Sequence, residues 1–291
     1  MGFEMSRKDS KNLKNVYFCA CKNRDNGILS DIMRYFLHLA YNGTPFFGWQ
    51  IQPDHPSVQE TLEKCISLLL HQERIPITGC GRTDTGVHAS CYYAHFDIDQ
   101  HFDQEACERI KDQLNNFLPK DIVIYRLFAV KDNAHARFDA ESRTYQYFIS
   151  TIKNPFTYPQ RLFFHRPLDV DLMNQAAELL RKNEDFTSFS KVHTQVNNFI
   201  CHVSEAFWEK KGDDLVFTIT ANRFLRNMVR AIVGTLLEVG LGRMSVQDFQ
   251  KVLDQKDRCE AGTSVPAHAL FLTDVRYNEH DILKNDDEIE K

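Results

Sequence analysis

Between Gly79 and Ala89 the chain reads G-C-G-R-T-D-T-G-V-H-A, so three glycines in eight residues surround one arginine and one aspartate, with a histidine just beyond. Glycine permits positive φ and lets a ligand approach the backbone closely. Asp84 offers a carboxylate on the rim between two short β-like runs, a group suited to covalent or proton-transfer chemistry. The competing use is an Asx-turn, in which Asp84 bonds its own backbone. Asp84-Thr85-Gly86 also spells the D-T-G of aspartic proteases. That chemistry needs two such loops whose carboxylates share one proton. This chain has one D-T-G and no D-S-G. A dimer of small subunits would supply a second copy, but this chain is much longer than such a subunit needs to be.

Two further stretches carry cations without acids. Ser142–Leu168 holds Arg143, Lys153, Arg161 and Arg166 and interleaves seven aromatics, among them Tyr145, Phe148 and Phe156. Cations neutralise phosphates and aromatic faces stack unpaired bases. Strand alternation would instead bury about half of those rings. Leu215–Leu237 holds Arg223, Arg226 and Arg230. Read as one helix from Phe224, the spacing lines these cations along a stripe beside the apolar face. A solvated face normally mixes signs, so three unpaired cations favour an anionic partner. A loop carboxylate, nearby arginines and an aromatic-basic strand together suit a reaction on an RNA base, with the base extruded and stacked. Local chemistry does not name the reaction.

The elements that must position these groups follow from periodicity. Strands are expected over Arg34–Tyr41, Ile75–Cys80, Cys91–Ile98, Ile122–Val130, Thr144–Thr151 and Leu270–Tyr277. Phe199–Trp208 and Leu215–Ala221 flank Gly212-Asp213-Asp214 as a hairpin. Helices are expected after the S-x-x-E of Ser57, after Asp103, around Leu172–Leu180, from Phe224 to Gly240, and after the S-x-x-D of Ser245. Strands and helices interleave in both halves, with a boundary near 132–140. The expectation is an α+β chain with lobes over 33–135 and 136–278 and a cleft between them.

The 291 residues are 43% hydrophobic and 26% charged, ordinary for a globular chain, and the formal charge of −5 excludes a uniformly basic nucleic-acid coat. No apolar run approaches the roughly 18 residues that span a membrane. The eight cysteines show no CxxC pair and no zinc-ligand spacing. Free thiols without an export signal fit a reducing cytoplasm. Residues 1–32 are polar and aperiodic, and are read as a disordered extension with Met33 as an alternative start. Residues 279–291 carry six acids and two lysines and are read as a solvated, frayed acidic tail.

Gly81-Arg82-Thr83-Asp84-Thr85-Gly86-Val87-His88-Ala89 resembles the G-R-T-D-A-G-V-H-A signature of the tRNA pseudouridine synthase A family. Four other segments match in the family's order. They are Tyr41–Gln50, Arg137-Phe138-Asp139-Ala140, Arg143-Thr144-Tyr145-Gln146-Tyr147, and Phe224–Gly234, which is similar to F-L-x-x-M-V-R-x-I-V-G. The resemblance implies two α+β lobes around a continuous mixed, mostly antiparallel sheet with a central cleft. It also implies a homodimer, no metal or organic cofactor, and conversion of uridine to pseudouridine in the anticodon stem-loop of tRNA, at positions 38 to 40. By position, Asp84 matches the catalytic aspartate and Arg82 the arginine that assists base flipping. Tyr145 matches the tyrosine that stacks on the target base and serves in proton removal, Arg230 the arginine paired with the carboxylate, and Leu270 an apolar residue near the base. Arg223 and Arg226 are read as further substrate-binding cations. Thr85 stands where the family usually has alanine, and Ala269 where it usually has glycine. The rival reading is a catalytically silent RNA-binding relative; Asp84, Tyr145 and Arg230 are all retained.

Overall fold

In a computed structural model the structure describes residues 32–191 and 198–284. The readings for residues 1–31 and 285–291 lie outside the described residues. Among the described residues nine strands form one sheet. In chain order they are β1 (Met33–Tyr41), β2 (Thr78–Gly79), β3 (His88–Ile98), β4 (Ile122–Val130), β5 (Ala140–Ser150), β6 (Leu162–Phe163), β7 (Val203–Lys211), β8 (Asp214–Ala221) and β9 (Leu270–Tyr277). The helices are α1 (Val58–Leu69), α2 (Gln104–Phe117), α3 (Val170–Arg181), α4 (Met228–Gly240), α5 (Val246–Gln255) and a single turn, α6 (Glu279–Ile282).

The strand order is β4-β1-β3-β9-β5-β8-β7, with β2 on β3 and β6 on β5. Every pairing is antiparallel except β3 with β9 and β5 with β6. The sheet is thus mixed and mostly antiparallel, as the resemblance implies. Its middle is made by the last long strand. β9 runs antiparallel to β5 and touches β3 in parallel through His88 opposite Phe271 and Ala89 opposite Leu272.

Alternation builds two buried clusters. Tyr35, Leu37, Leu39, Tyr92, Ala94 and Phe96 turn one way from β1 and β3 and pack with Leu62, Ile66, Ile110 and Leu114 of α1 and α2. Tyr147, Ile149, Phe217 and Ile219 of β5 and β8 pack with α3, α4 and α5 through Met173, Ile232, Leu236 and Phe249. α4 is buried on nearly every side, which accounts for its apolar sequence. No helix among the described residues is long and apolar enough to cross a membrane.

The start of the acidic tail departs from the expected frayed end. Glu279–Ile282 forms a helical turn, Ile282 is buried, and Leu283 bridges Val130. Lys131 N–H donates to the Ile282 carbonyl at 2.9 Å. The acid count hides the apolar Ile282-Leu283 pair, and that pair docks the segment.

Candidate active site

The Asp84 loop runs from β2 to β3 and is strapped at almost every residue. Cys80 N–H donates to the Tyr93 carbonyl at 2.8 Å, and the Tyr92 hydroxyl donates to the Gly81 carbonyl. The Thr83 and Tyr41 hydroxyls pair at 2.8 Å. Trp49 N–H donates to the Thr83 carbonyl at 3.3 Å, and Val87 N–H to the Asp84 carbonyl at 3.1 Å. Gly48 sits at φ 90° where an added Cβ would lie 2.5 Å from the Thr83 oxygen, so only glycine lets the Phe46–Trp49 loop seat here. Of the loop's own glycines, Gly86 alone has positive φ, 77°; Gly79 and Gly81 are not there for that reason.

His88 ties the loop to its far neighbours, a role its sequence position does not announce. Gly43 N–H donates to Nδ1 at 3.1 Å, so Nδ1 is the acceptor and Nε2 carries the proton it gives to the His268 carbonyl at 2.9 Å. The ring stacks on Phe271 at 4.5 Å. Burial pushes the His88 pKa down, consistent with a neutral ring wedged between two backbone groups.

The Asp84 carboxylate is 26% exposed and faces two guanidiniums. Arg230 NH1 lies 3.6 Å from Oδ2, and Arg226 Nε lies 3.8 Å from Oδ1. These are ion-pair separations, too long for direct hydrogen bonds. The carboxylate is not engaged by its own backbone, so the Asx-turn reading does not hold. The two arginines differ in support. Arg230 Nε donates to the Val265 carbonyl at 2.7 Å, and Val265 N–H returns a bond to the Arg230 carbonyl at 3.2 Å. Arg226 is exposed; its carbonyl accepts Lys191 N–H at 3.1 Å, but among the described residues its guanidinium makes no hydrogen bond like that of Arg230.

The expected helix from Phe224 is corrected here. α4 starts at Met228, because Asn227 has φ 66° and cannot belong to a right-handed helix. Its side chain donates to Ser264 Oγ at 2.6 Å. Arg223, Arg226 and Arg230 therefore share no helical stripe. The bend brings Arg226 and Arg230 to Asp84 and directs Arg223 elsewhere, its NH1 donating to Asn198 Oδ1 at 2.8 Å.

Tyr145 lies on β5 between Ile219 of β8 and Leu272 of β9. Its ring meets Phe224 edge-on at 5.0 Å. Burial pushes its phenol pKa well up, with the charges of Cys80 and Asp84 adding to the rise. The phenol is thus protonated at neutral pH and close enough to Asp84 to feel its charge. Leu270 opens β9 opposite Tyr147 and is 5% exposed, so most of its side chain belongs to the core beside the site. Arg82 and Thr85 are exposed on the Asp84 loop.

Two cations of the aromatic-basic stretch are structural, which corrects the phosphate reading for both. Arg143 spends its donors on carbonyls: those of Ala140 and Asn222 at 2.8 Å each, Cys80 at 2.9 Å and Arg137 at 2.5 Å. Arg161 pairs with Asp214 at 2.8 Å and lies over the Phe148 ring at 4.1 Å. Lys153 and Arg166 remain exposed.

A mixed sheet carrying a strapped loop aspartate, with arginines delivered from the far half of the chain, invites comparison with enzymes that rework nucleotides. The model of the family described as tRNA pseudouridine synthase matches residues 38–139 and 176–278, and the chain belongs to that family. It is accordingly an isomerase that makes pseudouridine in tRNA. It is 54% identical to tRNA pseudouridine synthase A of Bacteroides thetaiotaomicron over 251 residues, 85% of this chain and 92% of that protein. The protein of the same name from Parabacteroides distasonis is 52% identical over 248 residues, covering 84% and 96%. That of Bacillus subtilis is 38% identical over 249 residues, covering 84% of this chain and all of the relative. The matched segments contain Arg82, Asp84, Arg223, Arg226, Arg230 and Leu270; Tyr145 lies in the interval between them.

Proposed function

We propose that the chain isomerises uridine in the anticodon stem-loop of tRNA, at positions 38 to 40, with Asp84 as the catalytic carboxylate. The observation that carries this reading is a carboxylate on an over-determined loop, free of its own backbone and faced by Arg226 and Arg230. In the reaction the bond from the sugar to N1 breaks, the base rotates, and a bond from the sugar to C5 forms. N1 gains a proton and C5 loses one, so the product is an isomer and no redox partner is needed. Asp84 is the group that meets the detached base or the sugar. Arg230 orients that carboxylate. The Tyr145 ring stacks on the base, and its hydroxyl serves as a relay in removing the proton that C5 loses. Arg82 assists extrusion of the target nucleotide from its stack. Arg223 and Arg226 take phosphates, and Leu270 closes the apolar side of the pocket.

The test is tritium release from tRNA labelled at C5 of uridine, which occurs only when C5 becomes the bonding carbon. Wild type is expected to release the label from anticodon stem-loop uridines and Asp84→Asn to release none. Equal release by both would discard the carboxylate mechanism. No release by wild type on tRNA that it binds would leave a silent RNA-binding relative. The reading includes a cytoplasmic homodimer, which light scattering showing a stable monomer would reject. It also includes catalysis without a cofactor, expected to survive EDTA once effects on tRNA folding are controlled for.

A further inference from the structure

The turn over His135–Asp139 has an unusual division of labour. Its backbone is pinned throughout, while its tip side chains are left in solvent. His135 N–H donates to Asp139 Oδ2 at 2.7 Å, and Asp139 N–H donates back to the His135 carbonyl at 3.1 Å. Arg137 and Phe138 N–H both point at His135 Nδ1, at 3.1 and 3.3 Å. Ala136 N–H donates to His95 Nδ1 at 3.1 Å, and the Tyr277 hydroxyl donates to the Ala136 carbonyl at 2.5 Å. Ala134, Ala136 and Ala140 are buried beneath.

Above this base Phe138 is 74% exposed. Its ring is held in place by the His135 ring at 4.3 Å, and the Arg137 guanidinium lies 5.7 Å from its centroid. A phenylalanine so exposed contributes little to the core, yet every backbone N–H from His135 to Asp139 has a partner. The turn is also coupled to the Asp84 loop. One nitrogen of Arg143 donates to both the Arg137 and Cys80 carbonyls, so the tip stands beside the chain four residues before Asp84.

We propose that Arg137 and Phe138 form a platform for an unpaired nucleotide that flanks the target in the RNA. The base of that nucleotide stacks on the Phe138 ring, and its phosphate pairs with Arg137. A π-face with an adjacent cation is the pairing that single-stranded nucleic acid accepts without regard to sequence. The local charge favours RNA over a second protein copy. Arg137 is exposed at the tip, Arg82 is exposed two residues beyond the Cys80 carbonyl that Arg143 ties to the turn, and the Asp139 carboxylate is committed to backbone N–H. The proposal rests on the tRNA reading above and adds a subsite outside the reacting pocket.

The experiment measures binding and turnover of an anticodon stem-loop RNA by wild type, Phe138→Ala and Phe138→Trp. Loss of one base stack is expected to weaken binding and raise KM roughly 10-fold in Phe138→Ala, with a smaller change in kcat. Phe138→Trp is expected to restore binding. Replacing flanking nucleotides one at a time by abasic residues should identify one position at which wild type weakens and Phe138→Ala weakens no further. Wild-type binding by Phe138→Ala, or a penalty that persists with every abasic RNA, would overturn the platform. So would a Phe138→Ala protein that changes oligomeric state in light scattering, which would mark the tip as a contact between copies. An unchanged Tm separates these outcomes from misfolding. Because binding is read separately from tritium release, a wild type that binds the RNA but leaves its uridine unaltered would reject the catalytic reading and still test the platform.

Discussion

The helices of this fold start in two ways, and the difference shows where the fold takes its instructions. Ser57, Asp103, Asp169 and Ser245 each hold an extended backbone at the head of α1, α2, α3 and α5, and each side chain accepts an N–H from the first turn. Ser245 and Asp248 complete a reciprocal capping box, whereas Glu60 instead pairs with Lys64. These helices are placed by a few adjacent residues. α4 has no side-chain cap and starts from a left-handed asparagine. It is placed by distant chain: Gly234 against Thr263, Arg230 against Val265 and Asn227 against Ser264. The helix set by tertiary contact is the one that delivers Arg230 to Asp84.

If support from distant chain is what matters, the two arginines on Asp84 should not be equivalent. Arg230→Ala removes a braced, part-buried partner that orients the catalytic carboxylate and is expected to lower kcat/KM by roughly 100-fold, mostly in kcat. Arg226→Ala removes an exposed partner and is expected to cost less than about 10-fold, mostly in KM and with altered salt dependence. Tritium-release kinetics at two ionic strengths decide between them. Equal losses in kcat would break the contrast.

The same contrast governs acid stability. The His135–Asp139 turn belongs to no helix or strand and depends on His95, whose Nδ1 must stay unprotonated to accept Ala136 N–H. Burial, with Arg34 and then His135 adding to it, pushes the His95 pKa down to about 4 from an ordinary 6.5. Above 6.5 neither the folded nor the unfolded ring is charged, and the stability is fully present. As pH falls from 6.5 toward 4 the unfolded chain takes up a proton that the folded ring resists, and about 3 kcal/mol is lost. Urea unfolding at pH 7, 5.5 and 4 should give a shallower dependence for His95→Asn, which offers an oxygen near the Nδ1 position and does not titrate. Identical slopes would remove His95 from the account.

What was legible in the sequence divides along the same line. Strands with clean alternation, such as Ile122–Val130 and Leu270–Tyr277, and helices with an oxygen cap are found where their own residues put them. The reactive loop was legible because three glycines around Arg82 and Asp84 are costly to keep without a use. The start of α4 was not, since an apolar 3.6-residue period continues through Phe224–Leu225 while only the geometry of Asn227 halts the helix. The parts played by Arg143 and His88 were also hidden. A guanidinium that satisfies four carbonyls and one that binds phosphate look identical until the partners are known, and the partners of Arg143 lie as far away as Asn222. That Ile282-Leu283 docks against the strand at Val130 was masked in the same way by the acids around it.

Gly234 sharpens the comparison through a sign. In a helix placed by local preference, Gly→Ala gains about 1 kcal/mol. At Gly234 an added Cβ would lie 1.9 Å from the Thr263 carbonyl oxygen, which is backbone and has little room to yield. Gly234→Ala is therefore expected to lose about 2 kcal/mol, as overpacked sites do. Since the segment displaced leads to Val265, activity should fall with stability. A stabilised Gly234→Ala protein in thermal unfolding would show that α4 is governed by propensity after all.

The smallest effect is expected for Asn227→Gly, and it needs a control at a conventional cap. Ser57→Ala removes a hydroxyl that accepts Glu60 N–H at 3.2 Å and should cost about 1 kcal/mol. Asn227→Gly involves two opposed terms. Glycine occupies φ 66° without the penalty an L side chain carries, a gain bounded by the roughly 1–2 kcal/mol of left-handed strain that asparagine already partly escapes. Against it stands the lost hydrogen bond to Ser264 Oγ, worth about 1 kcal/mol. The net should lie within about 0.5 kcal/mol of zero. Asn227→Ala has both terms against it and should cost about 2 kcal/mol. The order Asn227→Gly, Ser57→Ala, Asn227→Ala in urea midpoints would mean that α4 begins where the backbone must turn, with no reliance on a capping side chain. If Asn227→Gly instead costs as much as Asn227→Ala, the bond to Ser264, which both lose, and not the left-handed turn, is what holds Arg226 and Arg230 at the carboxylate.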